Sequence, residues 1–173
     1  KFQNYKISKV SRTRANLKVQ DGCNNFCSYC LIPYTRGRAR SRNKDSIIEE
    51  ANILTYQGFK EIVLTGIHTA GYGLDLKDYN FVDLLKDMLK EVPYLRRIRI
   101  SSIEESEISD EFIHLLDENH RIVPHLHIPL QSGCDTVLER MNRKYDTNAF
   151  LNTINKIREV LSIHRSSSLL TTF

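Results

Sequence analysis

The sequence predicts an α/β fold: a partial (βα) barrel with parallel strands, incomplete at its carboxyl end. Three observations carry that expectation. Short apolar runs of strand length alternate with helical stripes along most of the chain, and residues typical of helix starts and stops separate them. Four strand–helix units are visible, half of a closed eight-stranded barrel. Alternation of this kind argues for a parallel sheet joined by right-handed crossovers.

The elements follow in order. Asn16–Gln20 reads as the first strand, with Leu17 and Val19 on one face. Ser46 and Glu49 form a capping-box pattern ahead of Ile47, Ala51 and Leu54, and Gly58 stops that helix. Glu61–Thr65 is the second strand, ended by Gly66. A helix opens near Asn80, buries Phe81, Leu84, Leu85, Met88 and Leu89, and closes at Pro93. Arg97–Ser101 alternates like a strand, and Ser109 caps a helix over Asp110–Glu118 with acids in its first turn. His125–Ile128 is the fourth strand. A short helix follows from Asp135, and Thr147 caps the last one, whose inner face runs from Phe150 to Leu161.

Composition sets the class. With 173 residues, 40% hydrophobic and 27% charged, the chain is an ordinary globular domain with no apolar run long enough to span a bilayer. No membrane partner is expected, and a cytoplasmic location is. Four cysteines are too sparse for a disulfide framework. The net charge of +4 conceals a split: Lys1–Arg42 holds ten Lys or Arg against Asp21 alone, and the remainder is net acidic. Such segregation suggests that the amino-terminal portion meets something anionic. Residues 1–14 read as a basic interdomain linker, 15–161 as the core, and 162–173 as an atypical tail produced by truncation or frameshift.

In barrels and open parallel sheets, ligands bind at the carboxyl ends of the strands. There the sequence places Cys23–Cys30, Thr65–Gly73, Ser101–Glu104 and Pro129–Gly133. Cys23, Cys27 and Cys30 are spaced so that three thiolates can wrap one four-iron cluster, leaving an iron open for a small molecule. Structural zinc demands four closed ligands, and the remaining cysteine, Cys134, lies about a hundred residues away. A zinc or RNA-binding module without catalysis is the competing reading. His68 invites a metal or acid–base role. His125 and His127 share a strand face, but no carboxylate or cysteine neighbours them in sequence. Glu104, Glu105 and Glu107 read as a solvated charge run, although Glu104 stands at a strand end.

The spacing of Cys23, Cys27 and Cys30, with the aromatic Tyr29 before the last cysteine, resembles the signature of radical S-adenosylmethionine enzymes. The run Leu31–Arg42 resembles the cluster loop of their methylthiotransferase subfamily. Leu64–Gly73, Arg97–Glu104 and His127–Arg143 resemble the MtaB-type branch, which modifies threonylcarbamoyladenosine at C2 next to the tRNA anticodon. The resemblance implies that Cys23, Cys27 and Cys30 hold a 4Fe-4S cluster and that S-adenosyl-L-methionine is the second cofactor. It implies cofactor contacts from Tyr29 (adenine), Thr65 and Gly66 (backbone acceptors), Ser102, and Gln131 and Ser132 (ribose or carboxylate). The substrate it implies is the tRNA anticodon stem-loop, and the electron donor a protein such as flavodoxin. A sister branch acts on a ribosomal protein, and others act on differently modified adenosines. Full-length members carry a second 4Fe-4S cluster on a preceding domain and an RNA-binding domain after the core, so the piece is not expected to complete the reaction alone.

Arg36, Arg38, Arg40 and Arg42 alternate with small residues just after the cysteine loop. If that segment is extended, all four guanidinium groups project to one side, a row suited to RNA phosphates. The competing role is pairing with acids of the barrel.

Overall fold

The computed structural model describes residues 13–164 and 170–172. In chain order the elements are β1 (Arg14–Lys18), β2 (Gln20–Asp21), α1 (Ile32–Thr35), β3 (Arg40–Ser41), α2 (Lys44–Tyr56), β4 (Glu61–Thr65), α3 (Phe81–Glu91), β5 (Arg97–Ile100), α4 (Asp110–Glu118), β6 (His127–Pro129), α5 (Asp135–Arg140), α6 (Thr147–His164) and β7 (Leu170–Thr172). The main sheet has the order β1-β4-β5, all parallel, and β6 pairs in parallel with β7. A parallel bridge from Ser102 to His127 carries the strand succession from β5 to β6. The α/β partial barrel expected from the sequence is therefore present. Among the described residues no helix is long and apolar enough to cross a membrane.

The core explains the alternation. Ala15, Leu17, Ile62, Leu64, Ile98 and Ile100 point inward from the strands and are buried. Leu84, Leu85 and Met88 of α3, with Phe112 and Leu116 of α4, cover them at helical spacing. Asn80 and Asp83 form a capping box on α3, and Ser109 accepts from Phe112 N to cap α4.

Several boundaries differ from the sequence expectation. β1 begins at Arg14, because it pairs residue for residue with the five residues of β4, from Arg14 opposite Glu61 to Lys18 opposite Thr65. Gln20 belongs instead to β2, which turns away to pair antiparallel with β3. Asn43, not Ser46, caps α2, accepting from Ser46 N at 3.1 Å, while Ser46 Oγ receives Arg42. Asp146 caps α6 by accepting from Ala149 N at 2.7 Å, which makes Thr147 the first helical residue. His125 precedes β6, since its N–H donates to Val123 O at 2.7 Å in a tight turn. The last helix runs past Leu161 to His164, and β7 follows it, so the tail's backbone returns to the sheet at Leu170–Thr172. The linker assigned to residues 1–14 lies mostly outside the described residues, and its final residue is part of β1.

At the amino ends of the strands, Glu61 gathers three arginines: Arg97 Nε at 2.9 Å, Arg99 Nε at 2.7 Å and Arg14 Nε at 3.5 Å. Burial opposes ionisation of this carboxyl, but the hydrogen bonds and charge of Arg99, Arg97 and Arg14 outweigh it and hold its pKa below the usual carboxylate range. Glu61→Gln is expected to cost about 1–3 kcal/mol at neutral pH, the range for hydrogen bonds to charged groups. A depressed native pKa gives stability that is present above the unfolded-state value and lost as pH falls through the native one. Urea unfolding across that acid range should therefore show the difference between Glu61→Gln and wild type shrinking as pH falls.

Candidate active site

The cysteines stand on an excursion between β2 and β3, whose antiparallel pairing (Gln20 to Ser41, Asp21 to Arg40) closes its base. Cys23 N then donates to Gly37 O at 3.1 Å. Gly22, at φ 73°, has no room for a side chain, because a Cβ there would lie 2.1 Å from Arg38 O. Within the loop Cys30 N donates to Cys27 O at 2.9 Å, and Asn25 N approaches Cys23 Sγ at 3.4 Å. Phe26 is held at φ 49°, a left-handed conformation uncommon for a bulky residue. Its surroundings hold it there: Asn142 Nδ2 donates to Phe26 O at 3.0 Å, Tyr34 packs edge-on at 5.7 Å, and the Arg38 guanidinium lies 4.5 Å over the ring.

All three loop cysteines are free thiols of intermediate burial. Burial pushes the Cys23 thiol up, and the proximity of Cys27, Cys30 and Glu104 adds to that shift. Burial also raises Cys27, with the Arg143 guanidinium partly opposing it. The three sulfurs therefore share one electrostatic neighbourhood. Any metal bound by these thiols would have to displace their protons. Half-buried thiols of this number and kind suit a cluster that takes one thiolate on each of three irons. Cys134 is exposed at the start of α5, apart from this loop.

The loop leans on three of its neighbours. Ser28 N donates to Met141 O at 3.2 Å, in the turn between α5 and α6. From the same turn Arg143 reaches Tyr29 Oη and clasps Glu104 with Nη1 at 2.8 Å and 2.6 Å from its two oxygens. Glu104 more than compensates for the burial of Arg143 and keeps that guanidinium firmly protonated. Tyr29 Oη in turn donates to Gln131 Oε1 at 3.2 Å, and Gln131 sits at φ 71° just after β6. Of the cofactor contacts expected from the sequence, Tyr29 and Gln131 are thus brought together directly. Thr65 closes β4, and its carbonyl already accepts from Val19 N at 2.9 Å. Gly66 lies against Gln20, whose Oε1 would be 3.0 Å from a Cβ there. Ser102 is exposed on the bridge to His127, and Ser132 Oγ accepts from Cys134 N at 3.2 Å.

The arginine row does not form. α1 intervenes, Arg36 ends it in helical conformation, and Gly37 turns at φ 79°. Arg36 and Arg38 remain exposed. Arg40 bonds to Arg36 O at 2.8 Å and pairs with Asp21 at 3.4 Å. Arg42 is buried against Glu50, with Nη1 at 2.6 Å from Oε2. The competing expectation, pairing with barrel acids, describes Arg40 and Arg42. The sequence reading assigned no role to Arg143, Gln20 or Asn142, although Asn142 and Arg143 close the His127–Arg143 run.

Comparison with known proteins bears on these observations. The family model of the radical SAM superfamily matches residues 17–172. Threonylcarbamoyladenosine tRNA methylthiotransferase MtaB of Bacillus subtilis (strain 168) is 56% identical over 152 residues, covering 88% of this chain and 34% of that protein. tRNA-2-methylthio-N(6)-dimethylallyladenosine synthase of Acetivibrio thermocellus is 40% identical over 158 residues, covering 91% and 33% respectively. The chain thus spans about a third of the length of these curated relatives. Among solved structures it resembles the radical S-adenosylmethionine methyltransferase TsrM of Kitasatospora setae, solved with cobalamin and a 4Fe-4S cluster bound. That match has a TM-score of 0.69 at 16% identity, covering 91% of this chain and 30% of that one, a likeness of fold.

Proposed function

This chain belongs to the radical SAM superfamily, and we propose that it is the catalytic core of a methylthiotransferase acting at C2 of threonylcarbamoyladenosine in tRNA. The observation that supports the reading is that Cys23, Cys27 and Cys30 lie within eight residues of one loop, closed at its base by β2 and β3, and that Cys27 and Cys30 act electrostatically on Cys23. The higher identity to the threonylcarbamoyladenosine enzyme than to the dimethylallyladenosine one favours the first of these two substrates.

Cys23, Cys27 and Cys30 would hold the 4Fe-4S cluster. When bound, the cluster supplies the electron for reductive cleavage of S-adenosyl-L-methionine. The chain's own contribution is to bind, orient and shield. Tyr29 would offer its ring to the adenine, with its hydroxyl fixed by Arg143 and Gln131. Thr65 and Gly66 would offer carbonyls to the methionyl amine, Thr65 through its second lone pair, since the first accepts from Val19 N. Ser102, Gln131 and Ser132 supply polar groups for the ribose and carboxylate. Arg36 and Arg38 are the exposed guanidinium groups suited to phosphates of the anticodon stem-loop. The electron donor would be a protein such as flavodoxin, the compartment the cytoplasm, and the second cluster would come from outside this chain.

Mass analysis of tRNA nucleosides tests the substrate. In a strain lacking the gene, threonylcarbamoyladenosine is expected to lose its 2-methylthio group while the dimethylallyl derivative keeps its own. The reverse pattern would assign the dimethylallyladenosine branch. A normal tRNA profile beside a ribosomal protein lighter by one methylthio group would move the substrate to protein.

A further inference from the structure

The acidic turn after β5 reads from the sequence as a solvated charge run, but each of its three glutamates has a specific partner. Glu105 is buried and accepts from Thr153 Oγ1 of α6 at 2.6 Å, which anchors the turn to the barrel. Glu107 pairs with His68 Nε2, and Glu104 with Arg143. The two pairs are themselves joined, since Glu104 N donates to Glu107 Oε2 at 3.2 Å.

We propose that the Glu104–Glu107 turn is a two-armed brace that sets the Cys23–Cys30 loop before any metal arrives. One arm runs from Glu107 to His68 Nε2, which donates to the carboxylate, and on through the His68 backbone N–H and Gln20 to Gly22. The other runs from Glu104 through Arg143 to the Tyr29 hydroxyl. Gly22 directly precedes the first cysteine, and Tyr29 stands between the second and third. Both halves of the loop are therefore tied to one rigid turn.

Burial gives the brace its strength. The His68 and Arg143 side chains are 7% and 5% exposed, and since His68 Nδ1 and Arg143 Nε have no hydrogen-bond partner among the described residues, the carboxylates at His68 Nε2 and Arg143 Nη1 are costly to lose. The imidazole has little room to swing away: a Cβ on Gly71 would lie 2.4 Å from His68 Nδ1, so the glycine is what admits the ring. Its backbone is pinned as well, because His68 N donates to Gln20 Oε1 at 2.9 Å. Gln20 Nε2 donates in turn to Gly22 O at 2.7 Å, directly before Cys23. Glu104, Glu107, His68 and Arg143 are thus positioning residues. Ordering the loop in the folded barrel means that less chain entropy is lost when a cluster is captured. The inference rests on the reading of the three cysteines as cluster ligands.

Hydrogen exchange of the metal-free chain tests it. Glu104→Ala and Glu107→Ala are expected to speed exchange of the amides from Asn25 to Cys30 by about ten-fold or more, as loss of a hydrogen bond to a charged group implies. Exchange in α2 should stay at the wild-type rate, and Glu107→Gln, whose amide oxygen still accepts, should restore protection. Wild-type loop exchange in both alanine variants would overturn the proposal. If those variants lose protection throughout, Gln20→Met and Tyr29→Phe decide instead, since they remove only the hydrogen bonds by which the arms reach the loop. A rise confined to the loop supports the brace, and no rise overturns it. Wild-type protein that takes up no iron while its loop stays protected would sink the cluster assignment and leave the brace standing.

Discussion

Reconstituted anaerobically with iron and sulfide, the Cys27→Ala chain is expected to hold no stable four-iron cluster. Wild type should gain broad visible absorption and about four irons per chain, and the variant close to none, since a cluster of this type depends on its thiolate ligands. Cys27 is the most informative of the three positions. It is the central ligand of the spacing, its carbonyl receives Cys30 N, and its thiol feels both Arg143 and Glu104. Removing it leaves two thiolates for an assembly that needs three. Cys134→Ala, exposed and away from the loop, should load like wild type. Iron quantitation with electron paramagnetic resonance of the reduced protein checks both. Wild-type iron content in Cys27→Ala would refute the ligand assignment.

The second large effect lies beneath the loop. Arg42→Ala is expected to destabilise the protein by about 3–5 kcal/mol, the cost of stranding one partner of a buried ion pair. Arg42 bonds Glu50 at 2.6 Å and Ser46 Oγ at 2.9 Å, and its backbone carbonyl receives the Tyr72 hydroxyl at 2.9 Å. Burial has pushed that tyrosine's pKa up to about 12, so the donor stays protonated through neutral pH. The double variant Arg42→Met with Glu50→Leu should recover most of the loss, because an apolar pair of similar size leaves no charge stranded. Urea unfolding measures both. Unchanged stability in Arg42→Ala together with weakened RNA binding would return Arg42 to the phosphate row from which its burial removes it.

Much of this molecule is legible without a structure, and the legible part is local. The cysteine spacing is a property of eight consecutive residues. The α3 stripe and its Asn80 cap, like the Ser109 cap of α4, fall within a few residues of one another and emerge where expected. Local rules failed where two candidates competed within one turn. Ser46 and Asn43 both suit a cap, and Asn43 took it because Arg42, buried against Glu50, engages the Ser46 hydroxyl. Alternation also suggested an extended arginine row. The segment instead turns at Gly37, because β2 and β3 pair antiparallel and bring the chain back.

What a side chain does over long sequence distances was decided only in three dimensions. Glu104 meets Arg143, His68 meets Glu107, and Asn142 holds the carbonyls of Asn25 and Phe26, across separations that carry no periodic signature. The sequence by itself determined the chemistry of the loop, since three thiols at that spacing are a covalent fact of the chain. It also determined the alternation that builds a parallel sheet. Tertiary structure decided which charges brace that loop, which arginines stay exposed, and that the tail's backbone rejoins the sheet beside β6. The physical reason is that a buried charge must find a partner wherever the fold brings one, and strand register, not sequence neighbourhood, sets who that partner is.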